Sequence, residues 1–134
     1  ENSIRDLINR LDLTESFILL GKKVNPYPYV KACDIYVQPS RYEGKAVTVT
    51  EAQILGKPVL LTNYATAKSQ VKNGFNGIIT DKGVHGIAKG IKMLIDNPHL
   101  RNKLVENTLN TDYFNAHEIE KLYELIRMWR SLKR

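Results

Sequence analysis

The sequence predicts an α/β protein in which a parallel sheet is flanked by helices. Two short apolar runs, residues 35–38 and 58–61, have the length of buried strands. Between them lie a polar loop and a segment with a helical pattern, which ends before Gly56. In an open sheet of this kind, ligands bind outside the carboxyl end of a strand, against the start of the following helix. The loop between the two runs is therefore the strongest candidate for a ligand site.

The first part of the chain predicts a helix, a strand and a second helix that leads into the strand at 35–38. Apolar residues recur at helical spacing over residues 2–11, and residues 17–20 predict a short buried strand. Residues 26–32 predict a short helix with prolines in its first turn, where their missing N–H costs nothing. Three tyrosines in this part are expected to be packing residues: Tyr27, Tyr29 and Tyr36.

The central part predicts a regular alternation of helices and strands. A helix starts near Val47 and ends at Gly56, which suits a left-handed C-cap, and a proline lies just beyond it. Strands are predicted at residues 59–62 and 77–80, with a short helix at 67–71 between them. This order is typical of a parallel sheet with helices on its faces.

The last part of the chain is predicted to be helical. A helix begins near Val84, and Asn97 as N-cap with Pro98 at the first helical position marks a stop and a restart. Residues 117–134 predict an amphipathic helix with a basic end. Two interpretations of this helix stay open: packing on the domain core, which its mixed charge favours, and binding to a membrane surface.

The composition limits the class of protein. The 134 residues correspond to one domain, and a hydrophobic content of 43% with 25% charged residues is typical of a soluble globular protein. No apolar run approaches the roughly 20 residues of a membrane span. One cysteine excludes an internal disulfide, and three scattered histidines lack the spacing of metal ligands, so we expect no metal site. The net charge of +6 is compatible with an anionic partner, but the composition alone favours a solvated basic surface.

Four ordered blocks of sequence lie around the candidate loop, at residues 25–35, 39–44, 51–59 and 73–79. In order and spacing they resemble the C-terminal, donor-binding domain of retaining glycosyltransferases of the GT-B fold, the glycosyl transferases group 1 family. Glu43 and Glu51 match the family's pair of glutamates, E-x7-E. One position departs from the commonest pattern, because Lys45 stands where the family often has an aromatic ring. This variant resembles transferases of bacterial surface polysaccharides.

The resemblance implies a donor site on a Rossmann-like sheet. It places Glu43, the candidate catalytic residue, near the donor sugar and its developing positive charge, and it places Glu51 on the ribose hydroxyls. Amides at the helix start would hold the pyrophosphate. The other candidate donor-binding residues lie on the loop and helix start, or on an earlier loop by the nucleotide base: Ser40, Arg41, Gly44, Lys45, Ala46, Val47, Gly21, Lys22 and Val24.

The function implied is transfer of a sugar from a UDP- or GDP-sugar to a saccharide or lipid-linked acceptor, with retention and without a metal or cofactor. The intact enzyme is expected in the cytoplasm, and peripheral contact with the inner face of the membrane is left open; we expect no nucleic-acid partner. A rival hypothesis is a non-catalytic module that binds a nucleotide or a polyanion.

The resemblance also implies missing parts. The family's sheet has the strand order 3-2-1-4-5-6, and this chain contains only the last four predicted strands. We therefore expect residues 1–134 to be a truncated single domain that lacks the N-terminal domain and is inactive alone. The strand at 17–20 would be left with an unpaired edge, would pair with a second copy, or would lie directly beside the strand at 35–38.

Overall fold

A computed structural model of the chain describes residues 2–113 and 116–132. Three parallel strands form one sheet in the order β1-β2-β3, with Tyr36 opposite Val59 and Leu60 opposite Ile78. The strands are β1 (Tyr36–Gln38), β2 (Val59–Thr62) and β3 (Ile78–Thr80). The helices are α1 (Asn2–Arg10), α2 (Tyr27–Ala32), α3 (Val47–Ile54), α4 (Ala67–Gln70), α5 (Val84–Asp96), α6 (Pro98–Leu109) and α7 (Ala116–Leu132). The predicted α/β class and parallel sheet are confirmed.

The core lies on both faces of the central strand β2. Side chains alternate across a strand, so Val59 and Leu61 face one layer and Leu60 faces the other. The first layer contains Val49 and Ala52 of α3, and all of these side chains are fully buried. On the second layer, Leu60 packs with a separate cluster: Ile78, Leu94 and Leu104. This burial on both faces explains why β2 is a continuous apolar run.

Glycines at two positions bring the helices into place. Gly56 follows α3 with φ +71°, a left-handed conformation that closes the helix as predicted. Gly90 lies on α5 directly against β2, where an added Cβ would sit 2.4 Å from Cδ1 of Leu60. Without a side chain at this position, α5 can approach the sheet closely. The predicted N-cap of α6 is also confirmed, because Asn97 Oδ1 accepts from the Leu100 amide at 3.0 Å.

The strand predicted at residues 17–20 is wrong. This segment has no regular secondary structure, and Phe17, Ile18 and Leu20 are 51%, 75% and 47% exposed. A strand must pair its backbone groups with a neighbour, yet the described sheet pairs β1 with β2 alone. The order that placed this segment directly beside β1 is therefore wrong for this chain. The apolar residues of this segment predicted burial, but the described residues provide no surface against which their side chains could pack.

The interpretation that α7 packs on the core is also wrong. Its helical extent is close to the prediction, but the large apolar side chains of the described part are exposed, with Ile126 at 39% and Trp129 at 57%. Both faces of the sheet are already covered by α3, α4, α5 and α6. The apolar side of α7 therefore remains exposed to solvent.

Candidate functional site

The loop between β1 and α3 holds the Glu43 carboxylate in a defined position. Glu43 Oε1 accepts hydrogen bonds from Ser40 Oγ at 2.7 Å and from Gln38 Nε2 at 2.9 Å. The Tyr36 hydroxyl donates to Gln38 Oε1 at 2.9 Å, which orients that amide. Tyr36 and Gln38 are two positions apart on β1 and so point to the same face of the sheet. A half-buried carboxylate with two donors on one oxygen is well oriented before any ligand arrives.

The backbone of the same loop is held from the neighbouring elements. Thr62, at the end of β2, donates its hydroxyl to the Ser40 carbonyl. Thr66, just before α4, donates to the Glu43 carbonyl at 3.0 Å and to the Gly44 carbonyl. Both threonines lie at the carboxyl-end edge of the sheet, which is why they reach the loop. The loop is thus fixed by the fold and not only by its own sequence.

The start of α3 leaves donors open toward the loop. Its N-cap residue is Ala46, which has no side-chain oxygen to cap the helix. The Ala46 amide itself is taken, because it donates to Gln70 Oε1 at 3.2 Å while Gln70 Nε2 donates to the Ala46 carbonyl at 2.8 Å. The amides of Val47 and Thr48 have no helical partner by position. These two, and not the amide of Ala46, are the donors that the helix start can offer to an anion.

Glu51 lies one turn into α3 and has a different environment from Glu43. Its Oε1 accepts a hydrogen bond from the Tyr27 hydroxyl at 2.9 Å. This hydrogen bond and the charge of Glu51 raise the pKa of Tyr27. Tyr27 is 46% exposed, so the expectation that it is a packing residue is wrong: its ring reaches across from α2 to the second glutamate. The half-buried Glu51 is thus joined to an exposed phenol, a partner that a ligand can displace.

Gly44 has no structural reason to be glycine. Its φ is not in the left-handed region, and an added Cβ would meet nothing within 4 Å. Glycine also serves where a backbone must come close to a ligand. The open space beside Gly44 is compatible with such an approach at the loop that holds Glu43.

The structure does not bring all the predicted site residues together. Arg41 is exposed on the loop, and Lys45 lines a cavity with Lys68 and Lys72 on the α4 side. The earlier loop forms no hydrogen bond to residues 40–51 among the residues that the structure describes, and its Val24 is fully exposed. The residues of that loop proposed for the nucleotide base are Gly21, Lys22 and Val24.

Sequence reasoning missed the residues that support the site. Gln38 was predicted only as the last residue of a buried strand, and a polar side chain at that position is a signal that could have indicated a partner in the following loop. Thr66 and Gln70 offer no comparable signal, because their contacts to Gly44 and Ala46 span more than 20 residues. Only the folded sheet brings them to the loop.

Metal-binding clusters and membrane spans are both absent from the described part of the chain. Over residues 2–113 and 116–132, no group of three or more His, Cys, Asp or Glu side chains converges in a way that could hold a metal ion. Within the same ranges, no helix is long and apolar enough to cross a bilayer.

Comparison with known families decides the class of protein. The model of the family "Glycosyl transferases group 1" matches residues 1–111. This chain belongs to that family. The matched residues include the loop, both glutamates and all three strands.

Relatives of known name agree with this assignment. The chain is 33% identical over 133 residues to the capsular polysaccharide biosynthesis glycosyltransferase CapM of Staphylococcus aureus. The match covers 92% of the chain and 34% of CapM. It is similar to the crystal structure of Anabaena HepE in complex with UDP, with 25% identity, a TM-score of 0.76, and coverage of 81% of the chain and 30% of HepE. The chain thus spans about a third of the length of these proteins.

One solved structure shows which domain of the family fold this chain resembles. The C-terminal domain of a group 1 glycosyl transferase from Francisella tularensis superposes with a TM-score of 0.69 at 24% identity, covering 81% of the chain and 58% of that domain. The chain therefore has the fold of the C-terminal domain of a GT-B glycosyltransferase.

Proposed function

We propose that this chain forms the donor-binding part of a retaining glycosyltransferase of surface-polysaccharide synthesis. The observation that carries the proposal is the position of Glu43, held by Gln38 and Ser40 beside an uncapped helix start. The family membership and the capsular polysaccharide relative support the reaction class. The donor would be a UDP- or GDP-sugar, and the similarity to HepE, which was crystallised in complex with UDP, supports the nucleotide.

The phosphates of the donor would sit at the start of α3. The amides of Val47 and Thr48 have no helical partner, and the positive end of the helix dipole favours an anion there. Gly44 leaves space for the phosphates to approach the backbone. Stabilisation of the leaving diphosphate by such fixed donors is electrostatic catalysis.

Glu51 would hold the ribose of the donor. The half-buried carboxylate of Glu51 can accept hydrogen bonds from two neighbouring hydroxyls, and Tyr27 is the partner that the ribose would replace. Glu43 would then lie near the sugar ring, where its negative charge stabilises the positive charge that develops as the glycosidic bond breaks. Retention at the anomeric carbon and the role of Glu43 follow the family resemblance.

The acceptor and the remaining part of the active site are proposed to lie outside this chain. Since the chain spans about a third of its relatives, we propose that a further domain supplies the acceptor site, for a saccharide or a lipid-linked saccharide. The chain alone would bind donor without transferring sugar. The exposed apolar side of α7 supports contact with that domain or with the inner face of the membrane, and we place the intact enzyme in the cytoplasm.

Calorimetric titration of the chain with UDP, GDP and their sugars tests the proposal. We expect one of the nucleotides to bind, and Glu51→Ala to weaken it at least about tenfold, because hydrogen bonds to a charged group are lost. Glu106→Ala on α6 is the matched control, since it removes an exposed helical glutamate far along the chain from the loop. Equal affinities of the Glu51→Ala variant and the unmodified chain would contradict the donor site.

A second candidate function is a module that binds polyanions. The net charge of +6 and the three lysines around one cavity favour it. Binding to heparin or DNA, with no heat from any nucleotide, would support this candidate and count against the first.

A further inference from the structure

A cavity of about 340 Å³ lies on the side of α3 that faces α4 and the end of α6. Gln53 lines it from α3, and because Gln53 is two positions from Glu51, the two side chains project from opposite sides of the helix. Lysines enter the cavity from three places in the chain: Lys45, Lys68 and Lys72. We refer to it as the lysine cavity.

Like charges dominate the lysine cavity. Three lysines and a single carboxylate, that of Asp112, line it. Lys68 lies on α4 and Lys72 lies two residues beyond its end, and their equal charges repel each other where both line the cavity. Lys72 also lies 4.9 Å above the ring of Phe75, which limits its freedom to turn away. A bound anion would relieve this repulsion.

One hydroxyl at the cavity is buried and has no hydrogen-bond partner among the described residues. It is the hydroxyl of Tyr113, which lies near Thr108, Thr111 and Asn76 without meeting them in hydrogen-bond geometry. Burial raises the pKa of Tyr113 above its ordinary value of 10.0, and the hydroxyl is a donor at neutral pH as any phenol is. Buried polar groups are almost always hydrogen-bonded, so an oxygen of a bound ligand would complete the pairing of this hydroxyl.

The walls of the lysine cavity are already in place. Gln53 Nε2 donates to the Gln70 carbonyl at 3.2 Å, and Gln70 is in turn clamped to Ala46. Asn76 Oδ1 accepts from the Lys72 amide at 2.8 Å, and its carbonyl accepts from Thr108 Oγ1 at 3.2 Å. A site with fixed walls loses little conformational entropy on binding.

We propose that the lysine cavity binds a phosphorylated sugar, separately from the donor nucleotide. Lysine ammonium groups and the Tyr113 hydroxyl suit the oxygens of a phosphate monoester, while amide and hydroxyl side chains suit sugar hydroxyls: Thr50, Gln53, Asn76 and Thr111. The volume lies within the range of small-ligand pockets and leaves room for more than a phosphate ion. The proposal goes beyond the donor site and does not depend on it.

Nuclear magnetic resonance titration of the chain with glucose 6-phosphate tests this site. We expect the amide signals of Ser69, Asn76 and Thr111 to shift, with saturating UDP present so that the donor site is occupied. The double variant Lys68→Gln/Lys72→Gln should bind at least about tenfold more weakly, because two charged donors are lost. Lys89→Gln on α5, an exposed lysine outside the cavity, should bind like the unmodified chain.

A second variant separates a ligand role from a folding role. Tyr113→Phe should weaken the binding of glucose 6-phosphate about tenfold while the chain stays folded, since the hydroxyl makes no hydrogen bond to the described residues that the change would remove. Equal affinity in the double lysine variant would overturn the proposal. So would an equal response to inorganic phosphate, or to vesicles of phosphatidylglycerol in place of glucose 6-phosphate. Glu51→Ala should leave this binding intact, so failure here and failure of the donor site are distinguishable.

Discussion

The middle of the chain and its two ends both contain apolar runs in sequence but differ in structure. From Tyr36 to Leu109, the strands lie between helices, and Leu60 and Leu61 have no exposed surface. Within residues 3–24, Ile8 alone is buried, and α7 has its large apolar side chains in solvent. Apolar residues therefore predict burial only where the chain itself provides the opposing surface.

The candidate site belongs to the middle of the chain, where the packed elements lie. The hydrogen bonds that hold the Glu43 loop come from β1, β2 and the residues around α4, all between positions 36 and 70. Tyr27 lies outside this range and reaches Glu51 of α3 from the segment before β1. Donor binding should therefore depend on the middle of the chain and little on its ends.

The greatest loss of folding stability is expected at a buried leucine of the middle, compared with an exposed leucine of the first part. Leu60→Ala removes a fully buried side chain between β2 and α5 and should lower the free energy of unfolding by about 2–5 kcal/mol, from lost burial and the cavity left behind. Leu20→Ala removes a side chain that is 47% exposed, and should change stability by about 0.5 kcal/mol or less. Urea denaturation of both variants measures this. Equal losses would show that the first segment is packed after all.

The sequence predicted those helices and strands that have a packing partner nearby in the chain. The helices at Val47, Val84 and Pro98 and the strands β1 to β3 follow from local signals such as the Asn97 cap, and each finds a partner nearby. The same signals failed at residues 17–20, where a strand requires backbone partners that the described residues do not provide. Propensity is local, whereas strand pairing is not.

For the site, the sequence predicted the loop but not what holds it. The motif resemblance indicated Glu43 and Glu51, and in the structure Glu43 lies on the loop before α3 and Glu51 one turn into that helix. The contacts of Thr66 and Gln70 with the loop join residues 22 to 24 positions apart. No local pattern encodes such contacts, because they arise when two strands end at the same edge of the sheet.

A smaller effect is expected at Gly44, where one substitution should change stability and UDP affinity in opposite directions. Gly44→Ala should raise the free energy of unfolding by about 0.4–1 kcal/mol, because φ is compatible with alanine and the unfolded chain loses freedom. The same change should weaken UDP about tenfold if phosphates approach this backbone. Denaturation and calorimetry on one preparation measure both.

Gly74→Ala is the matched control for this glycine. Gly74 also has open space around it, but its φ of +76° makes alanine unfavourable. This variant should lose about 1–2 kcal/mol of stability and keep its UDP affinity. If Gly44→Ala keeps full affinity too, the phosphates do not approach the loop at this point.

The last and smallest effect is a change in the pKa of Tyr27, whose hydrogen bond to Glu51 joins the first part of the chain to the middle. Tyr27 donates to Glu51, and this hydrogen bond raises its pKa above the ordinary value of 10.0. The stabilisation is therefore complete below pH 10 and is lost as the pH rises through the raised pKa of Tyr27. Glu51→Gln should lower that pKa toward 10.0, as followed by the resonance of the labelled tyrosine ring carbon.

Tyr64 is the control for this titration, because burial is the first cause of its raised pKa and Glu43 only the second. It should titrate unchanged in Glu51→Gln. UDP should lower the pKa of Tyr27 in the unmodified chain, because a ribose hydroxyl that takes the Glu51 oxygen removes the partner of the phenol. If UDP binds and the Tyr27 titration does not move, the ribose does not rest on Glu51, and the donor must be held by other groups around the start of α3.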